Sequence, residues 1–330
     1  MNIPVNKLKK FQKLAANIKT NGILPIYSYL KFGGGCICKN VGTSFLEYKM
    51  EESDEELLVD EHDLFSLLNH TSSPFITITL KKGKVELNDG RDKLLLNTVK
   101  YSDFNSPNTS AKEPVPVSAE FMDAILKASN FAQVVKDMPT YYAFVHIGEN
   151  AVCAGDGLMI FHCPVEEDLS IVLEGRIAQF VAKQGVTAFA DTGNYHLFFT
   201  PDAVLGFAKS ELSWFNIKKV FERPREYSFT LGASDIISFN SLSLQLTRDP
   251  MVTLSNGKFE MNDMLLDKCH ERAAENIKVT EPFSYNPEKM NVVVNGLDCE
   301  EIDFSDGGPC YFLSNKDVKA TTIIAKIKKQ

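Results

Sequence analysis

The chain has 330 residues, 44% hydrophobic and 24% charged, with a formal net charge of −8 and seven cysteines. No run of eighteen apolar residues occurs, which argues against a membrane-spanning helix, and the acidic excess excludes nucleic-acid binding over the whole surface. Any such binding must use positive charge gathered on one face.

The first expected helix covers residues 6–18, where Leu8, Phe11, Leu14, Ala15 and Ile18 recur at helical spacing. Lys9, Lys10 and Lys13 project away from that stripe, and residues 1–31 hold no acid at all. A solvated face usually mixes signs, so a one-sign face suggests a polyanion. A hairpin follows, with strands at 27–32 and 36–39 around Gly33, Gly34 and Gly35. That glycine run lacks the Gly-Lys-Ser/Thr ending and the following helix of a phosphate loop. After an acidic segment at 51–56 come a helix at 63–69, strands at 75–80, 84–87 and 94–99, and a Pro/Ser/Asn-rich linker at 106–114.

Ser118 is the expected N-cap of the next helix, which buries Phe121, Met122, Ile125, Phe131 and Val134 and carries Lys127 and Lys136 on its polar side. Strands are expected at 141–147 and 151–154, then an Asp156-Gly157 turn, a helix at 175–183 and strands at 187–190, 195–200 and 204–207. Strand alternation would put the Tyr141 and Tyr142 rings on opposite faces. A charged, proline-containing linker follows Phe221. The last third has helices at 233–246 and 288–295, with Lys289 the only base of the second, a strand at 321–327 and a basic tail.

The chain repeats itself. Prolines 25, 139 and 250 each precede an apolar strand and are spaced by 114 and 111 residues. Capping-type residues Asp60, Glu174 and Asn286 each open a later helix, at spacings of 114 and 112. Two independent markers with one period indicate three tandem copies of about 110 residues, each large enough to bury a core. The expected domains are 1–112, 113–224 and 225–330.

The cysteines are odd in number and form no Cys-x-x-Cys pair, so they read as reduced thiols in strands. Cys269-His270 has no second pair at ligand spacing, and no metal or cofactor is expected. No nucleophile elbow or phosphate loop is present, and an enzyme is not expected. Met1-Asn2-Ile3-Pro4 lacks the apolar core of a signal peptide, so a cytoplasmic protein is expected.

With these residues in order, the chain resembles the bacterial-type DNA sliding clamp, the DNA polymerase III beta subunit family. The resemblance spans the whole sequence, through residues 23–32, 137–142, 153–160, 215–221 and 283–326. It implies an α+β fold of three tandem clamp domains, each with two helices packed on antiparallel sheets. Two copies would close head to tail into a ring around double-stranded DNA. The implied DNA contacts are Lys9, Lys10, Lys13, Lys127, Lys136, Tyr141, Tyr142, Arg176 and Lys183, with Lys289 a further lining base; sheet packing is the other reading of the tyrosines. The family also docks DNA polymerase, clamp loader and other clamp-binding proteins through a short apolar peptide. The resemblance places that pocket at Gly155, Gly157, Met159, Ile160, Phe215, Lys219, Val220, Ile323, Ala325 and Ile327. Leu158-Met159 stands where the family has His-Arg, and Ala325-Lys326-Ile327 where it has Met-Pro-Met, so peptide preference is expected to differ. Phe104 and Leu244 are the implied residues of the homodimer interface. The third copy is poor in bases, which leaves open a clamp-like docking protein that does not encircle DNA.

Overall fold

The computed structural model describes residues 1–19, 24–53, 55–107, 113–132, 140–212, 218–248, 250–263, 268–279 and 281–327. One order of elements, β-α-β-β-β-β-α-β-β-β, occurs three times. The first pass is β1 (Asn2–Pro4), α1 (Val5–Ala15), β2 (Tyr29–Gly33), β3 (Cys36–Asn40), β4 (Ser44–Lys49), β5 (Leu57–Asp60), α2 (Glu61–His70), β6 (Phe75–Lys81), β7 (Lys84–Asn88) and β8 (Lys93–Asn97). The second is β9 (Val115–Pro116), α3 (Ala119–Ser129), β10 (Phe144–Gly148), β11 (Ala151–Gly155), β12 (Met159–Pro164), β13 (Ile171–Glu174), α4 (Gly175–Ala182), β14 (Ala188–Asp191), β15 (Tyr195–Phe199) and β16 (Ala203–Ala208). A short helix, α5 (Lys218–Phe221), leads to the third. That pass is β17 (Glu226–Gly232), α6 (Ala233–Leu246), β18 (Val252–Ser255), β19 (Lys258–Asp263), β20 (Lys268–Ala273), β21 (Phe283–Tyr285), α7 (Pro287–Leu297), β22 (Glu301–Asp306), β23 (Cys310–Asn315) and β24 (Val318–Ala325).

The helices start where local chemistry says they should. Asp60 accepts the N–H groups of His62 and Asp63, Ser118 accepts that of Phe121, and Asn286 accepts that of Lys289. Each satisfies backbone donors that a helix start leaves unpaired. Glu174 stands at the corresponding place before α4 but makes no side-chain cap bond. α1 buries Val5, Leu8, Phe11 and Ala15 and ends three residues earlier than the stripe suggests. Ile18 is still buried just beyond it.

The proline elements differ from expectation. Pro25–Ser28 and Thr140–Ala143 are single 3-10 turns, and the strands begin only at Tyr29 and Phe144. Pro25 takes the first position of its turn, which proline's fixed φ suits. In a turn of about three residues per revolution, consecutive side chains diverge by about 120° and not by the roughly 180° of a strand. Tyr141 and Tyr142 therefore meet edge to face, with centroids 4.6 Å apart, instead of lying on opposite faces.

Each pass forms two four-stranded half-sheets. Four of the six are joined in pairs across passes, giving eight-stranded antiparallel sheets ordered β5-β2-β3-β4-β16-β15-β14-β9 and β13-β10-β11-β12-β24-β23-β22-β17. The other two half-sheets, β1-β6-β7-β8 and β20-β19-β18-β21, stand as four-stranded sheets. Because sheets run across repeat boundaries, the two compact units do not follow the repeats. One comprises Met1–Val117 with Gln184–Lys209, the other Ser118–Lys183 with Ser210–Gln330.

The joint in the first unit is β4 against β16. Gly206 faces Phe45 there, and a Cβ on Gly206 would lie 2.0 Å from the Phe45 ring, so only glycine admits it. The ring is fully buried, stands edge to face with Tyr195 at 5.3 Å, and packs with Ala190 and Leu197. The second unit has the equivalent joint, β12 against β24.

Candidate docking groove and basic helix faces

An apolar cluster, the candidate groove, stands on the second joint. Ile160 of β12 lies opposite Ile323 of β24, and Met159 opposite Ile324. Side chains alternate between sheet faces, so Ile160 and Ile323 share one face and Met159 takes the other. On the first face, buried Cys310, Phe312 and Ile323 form a floor against which half-buried Ile160, Val220 and Phe221 pack. Phe221 stands edge-on to Phe312 at 5.9 Å and tilts over His162 at 4.6 Å. Exposed Arg225 holds its guanidinium 5.1 Å from the Phe312 ring centroid. Burial pushes the Cys310 thiol up and the His162 imidazole down, so both are neutral parts of an apolar floor at pH 7.

The turn from β11 to β12 borders this floor. The Asp156 side chain is 1% exposed, and its Oδ1 accepts the N–H groups of Leu158 and Met159, both at 3.1 Å. Its Oδ2 accepts from Lys289 Nζ of α7. Gly157 has φ +88°, a left-handed conformation that favours glycine. Leu158 is 40% exposed, and its carbonyl accepts the N–H of Ala325 at 2.8 Å.

Of the expected pocket residues, the structure gathers Ile160, Val220 and Ile323. Ala325 joins them through its pairing with Cys310. Gly155 lies beneath, where a Cβ would meet Ile160 Cγ1 at 3.1 Å and the Met159 carbonyl at 2.6 Å. Met159 is fully buried on the opposite face, with Phe161, which packs on Phe131 at 5.2 Å. Lys219 is exposed, and Ile327 is half-buried and bonds to the Ser284 carbonyl. Phe215 lies outside the described residues. Sequence reasoning misses His162, Phe221, Cys310 and Phe312. The alternation Cys310-x-Phe312 carries a signal, but it indicates a shared face only once β23 is known to lie beside β24.

The expected DNA contacts fall into two classes. Lys9, Lys10 and Lys13 are exposed along α1, and Lys10 approaches an acid, Asp202, at 4.0 Å. Lys183 is exposed after α4, while Arg176 pairs with Glu174 at 2.9 Å. Lys127, by contrast, is held by Asp123 at 3.0 Å and Asp298 at 3.4 Å. Its partial burial opposes its charge, but the two carboxylates outweigh that and raise its pKa. Tyr141 and Tyr142 are half-buried, and burial, followed by a side-chain hydrogen bond with Tyr141 that favours the neutral phenol, raises the Tyr142 pKa. Lys136 lies outside the described residues.

Phe104 is 7% exposed and packs in its own chain with Cys38, Leu58 and Tyr101, which leaves little of its ring for a second chain. Leu244 is half-buried on α6. The four-stranded sheets end instead on edge strands β8 and β20, and Leu95 of β8 is 58% exposed.

No protein-family model matches the sequence, and no curated protein matches it. Solved structures do match, over the full length. The Helicobacter pylori beta clamp bound to a DNA ligase peptide superimposes with TM-score 0.84 at 14% identity, covering 99% of both chains. A putative DNA polymerase III beta subunit from Eubacterium rectale gives 0.85 at 13% identity, again covering 99% of both. A Pseudomonas aeruginosa sliding clamp bound to griselimycin gives 0.82 at 14% identity, over 100% of this chain and 99% of that one. The chain therefore has the beta-clamp fold, three tandem copies of one α+β topology.

Proposed function

We propose that this chain is a DNA sliding clamp, a processivity factor: two copies close head to tail into a ring around duplex DNA, and the groove on β12 and β24 docks replication and repair proteins by a short apolar peptide. The observation that carries the ring is the pattern of joints. Within the chain, β4 of the first pass pairs with β16 of the second, and β12 of the second pairs with β24 of the third. By the same rule β20 of the third pass and β8 of the first seek each other, and both are sheet edges. A second copy satisfies both edges at once, which gives a closed, symmetric dimer and removes two exposed edges prone to non-specific pairing. The domains of that reading are 1–112, 113–224 and 225–330, one per pass.

The lysines of α1 suit a sleeve that touches phosphates and reads no bases, because base contacts would arrest sliding. The partners of the reading are double-stranded DNA, a DNA polymerase, a clamp loader and other peptide-bearing proteins, and its location is the cytoplasm. The role is mechanical and assigns no catalytic residue. A clamp-like docking protein that does not encircle DNA is the second reading. It is favoured by the third pass, where α6 carries no base and Lys289 of α7 is engaged by Asp156. Light scattering separates the two. The ring requires twice 36.9 kDa, about 74 kDa, and a monomer at micromolar concentration sinks it.

A further inference from the structure

The sequence places Lys289 among the bases facing DNA, but its surroundings give it another task. Its side chain is 20% exposed, and its ammonium meets a carboxylate that is 1% exposed. A buried carboxylate left without its cation is strongly destabilised, so the pair acts as one unit. That unit anchors the turn of Asp156, Gly157 and Leu158 from the α7 side. The turn is held on two further sides. Tyr142 packs against Gly157, where an added Cβ would lie 3.4 Å from the tyrosine ring. The Leu158 carbonyl extends the ladder of β12 and β24 by one more bond, to Ala325. Since Met159 pairs with Ile324, Leu158 falls opposite Ala325, on the face of Ile160, Ile323 and Cys310. It is the exposed apolar residue at the end of that floor.

We propose that Lys289 and Asp156 are positioning residues of the docking groove: their ion pair fixes the turn that sets Leu158 as the groove's apolar lip, so Lys289 acts on peptide binding and not on DNA. The proposal rests on the docking reading above. Without the ammonium, the Asp156 carboxylate loses its counter-charge, and regaining water requires the turn to lift away from α7. Leu158 and the Ala325 bond move with it, while Ile160, Ile323 and Phe312, held by the sheets, stay in place.

The test uses the full-length protein and the DNA ligase peptide seen with the Helicobacter pylori clamp, fluorescently labelled, with griselimycin as second probe. Affinity is read by anisotropy for wild type, Lys289→Met, Asp156→Asn and the double variant, beside melting temperature and the salt dependence of duplex binding. Lys289→Met is expected to weaken the peptide about tenfold or more and to leave the salt slope of DNA binding unchanged. The double variant leaves no lone buried charge, so it keeps the proposal testable if Lys289→Met folds poorly. It is expected to bind the peptide more weakly than wild type, because the tie to α7 is gone, but no more weakly than the weaker single variant, the signature of two residues acting as one. Unchanged peptide affinity in a folded Lys289→Met or double variant overturns the proposal while leaving docking intact. So does a DNA slope lowered by about one unit, which would return Lys289 to the phosphates. If wild type binds neither probe, the docking reading itself fails and takes the proposal with it.

Discussion

Lys39→Met tests how the basic helix is held. Lys39 is a strand residue of β3, yet its side chain is only 5% exposed. Its ammonium reaches Glu61 at 2.7 Å, in the first turn of α2, and the Ala15 carbonyl at 3.1 Å, at the end of α1. Glu61 is itself 16% exposed. One lysine therefore ties the C-terminal end of α1 and the N-terminal end of α2 to the sheet beneath. Methionine keeps the length and apolar stem of lysine but removes the charge. Glu61 is then left largely desolvated without a cation, and the Ala15 carbonyl loses its donor. Breaking a buried pair from one side costs about 3–5 kcal/mol, and an orphaned buried acceptor about 1–3 kcal/mol more where water cannot reach it. The end of α1 lies near the surface, so the lower part of that range, about 3 kcal/mol, is expected. Urea unfolding followed by fluorescence and circular dichroism gives the loss directly. Adding Glu61→Gln should restore more than half of it, since the second change removes the stranded charge. A single-variant loss below about 1 kcal/mol, or a double variant no better than the single one, would show that the pair behaves as a surface ion pair and that α1 is held by its apolar stripe alone.

Replacing Lys9 and Lys13 with glutamine should lower the slope of log K against log salt for duplex DNA by about 0.9 for each phosphate that is no longer neutralised, measured by anisotropy across a salt series. The same change at Lys127, already held by Asp123 and Asp298, should alter the slope little. Acid should destabilise the protein through His146. Burial lowers its folded pKa to about 4, from an ordinary value of 6.5, so the unfolded chain binds the proton more readily. Stability from this group is complete above pH 6.5 and is lost as pH falls from 6.5 toward 4. His146→Gln should flatten the melting temperature over that window, and an unchanged pH profile would contradict the assignment.

What the sequence makes legible is local or periodic. The caps at Asp60, Ser118 and Asn286 are readable because a cap is decided within three residues. The apolar stripe of α1 and the threefold repeat are readable because spacing alone reveals them. The proline elements mislead because apolar alternation does not separate a 3-10 turn from the first residues of a strand, and Tyr141 and Tyr142 are split as a result. The groove is half legible. Ile160 and Ile323 fall on one face by strand parity, but the same parity sends Met159, next in sequence to Ile160, to the helix side and out of the expected pocket. Phe312 and Phe221 belong to the floor through packing between segments far apart in sequence, which no local pattern encodes. Lys289 is misplaced by sequence for the same reason. A basic residue in a first turn looks solvent-facing until the residue above it, Asp156, is known.

In the proposed ring, DNA is held by enclosure and not by sequence or affinity. Enclosure is tested most directly by placing the protein on nicked circular DNA and then cutting the circle once. Retention is read by gel filtration at moderate salt before and after the cut. A ring-shaped dimer should remain on the circle and leave the linearised molecule. Equal retention on the two forms would contradict enclosure and leave a beta-clamp fold that serves as a docking platform.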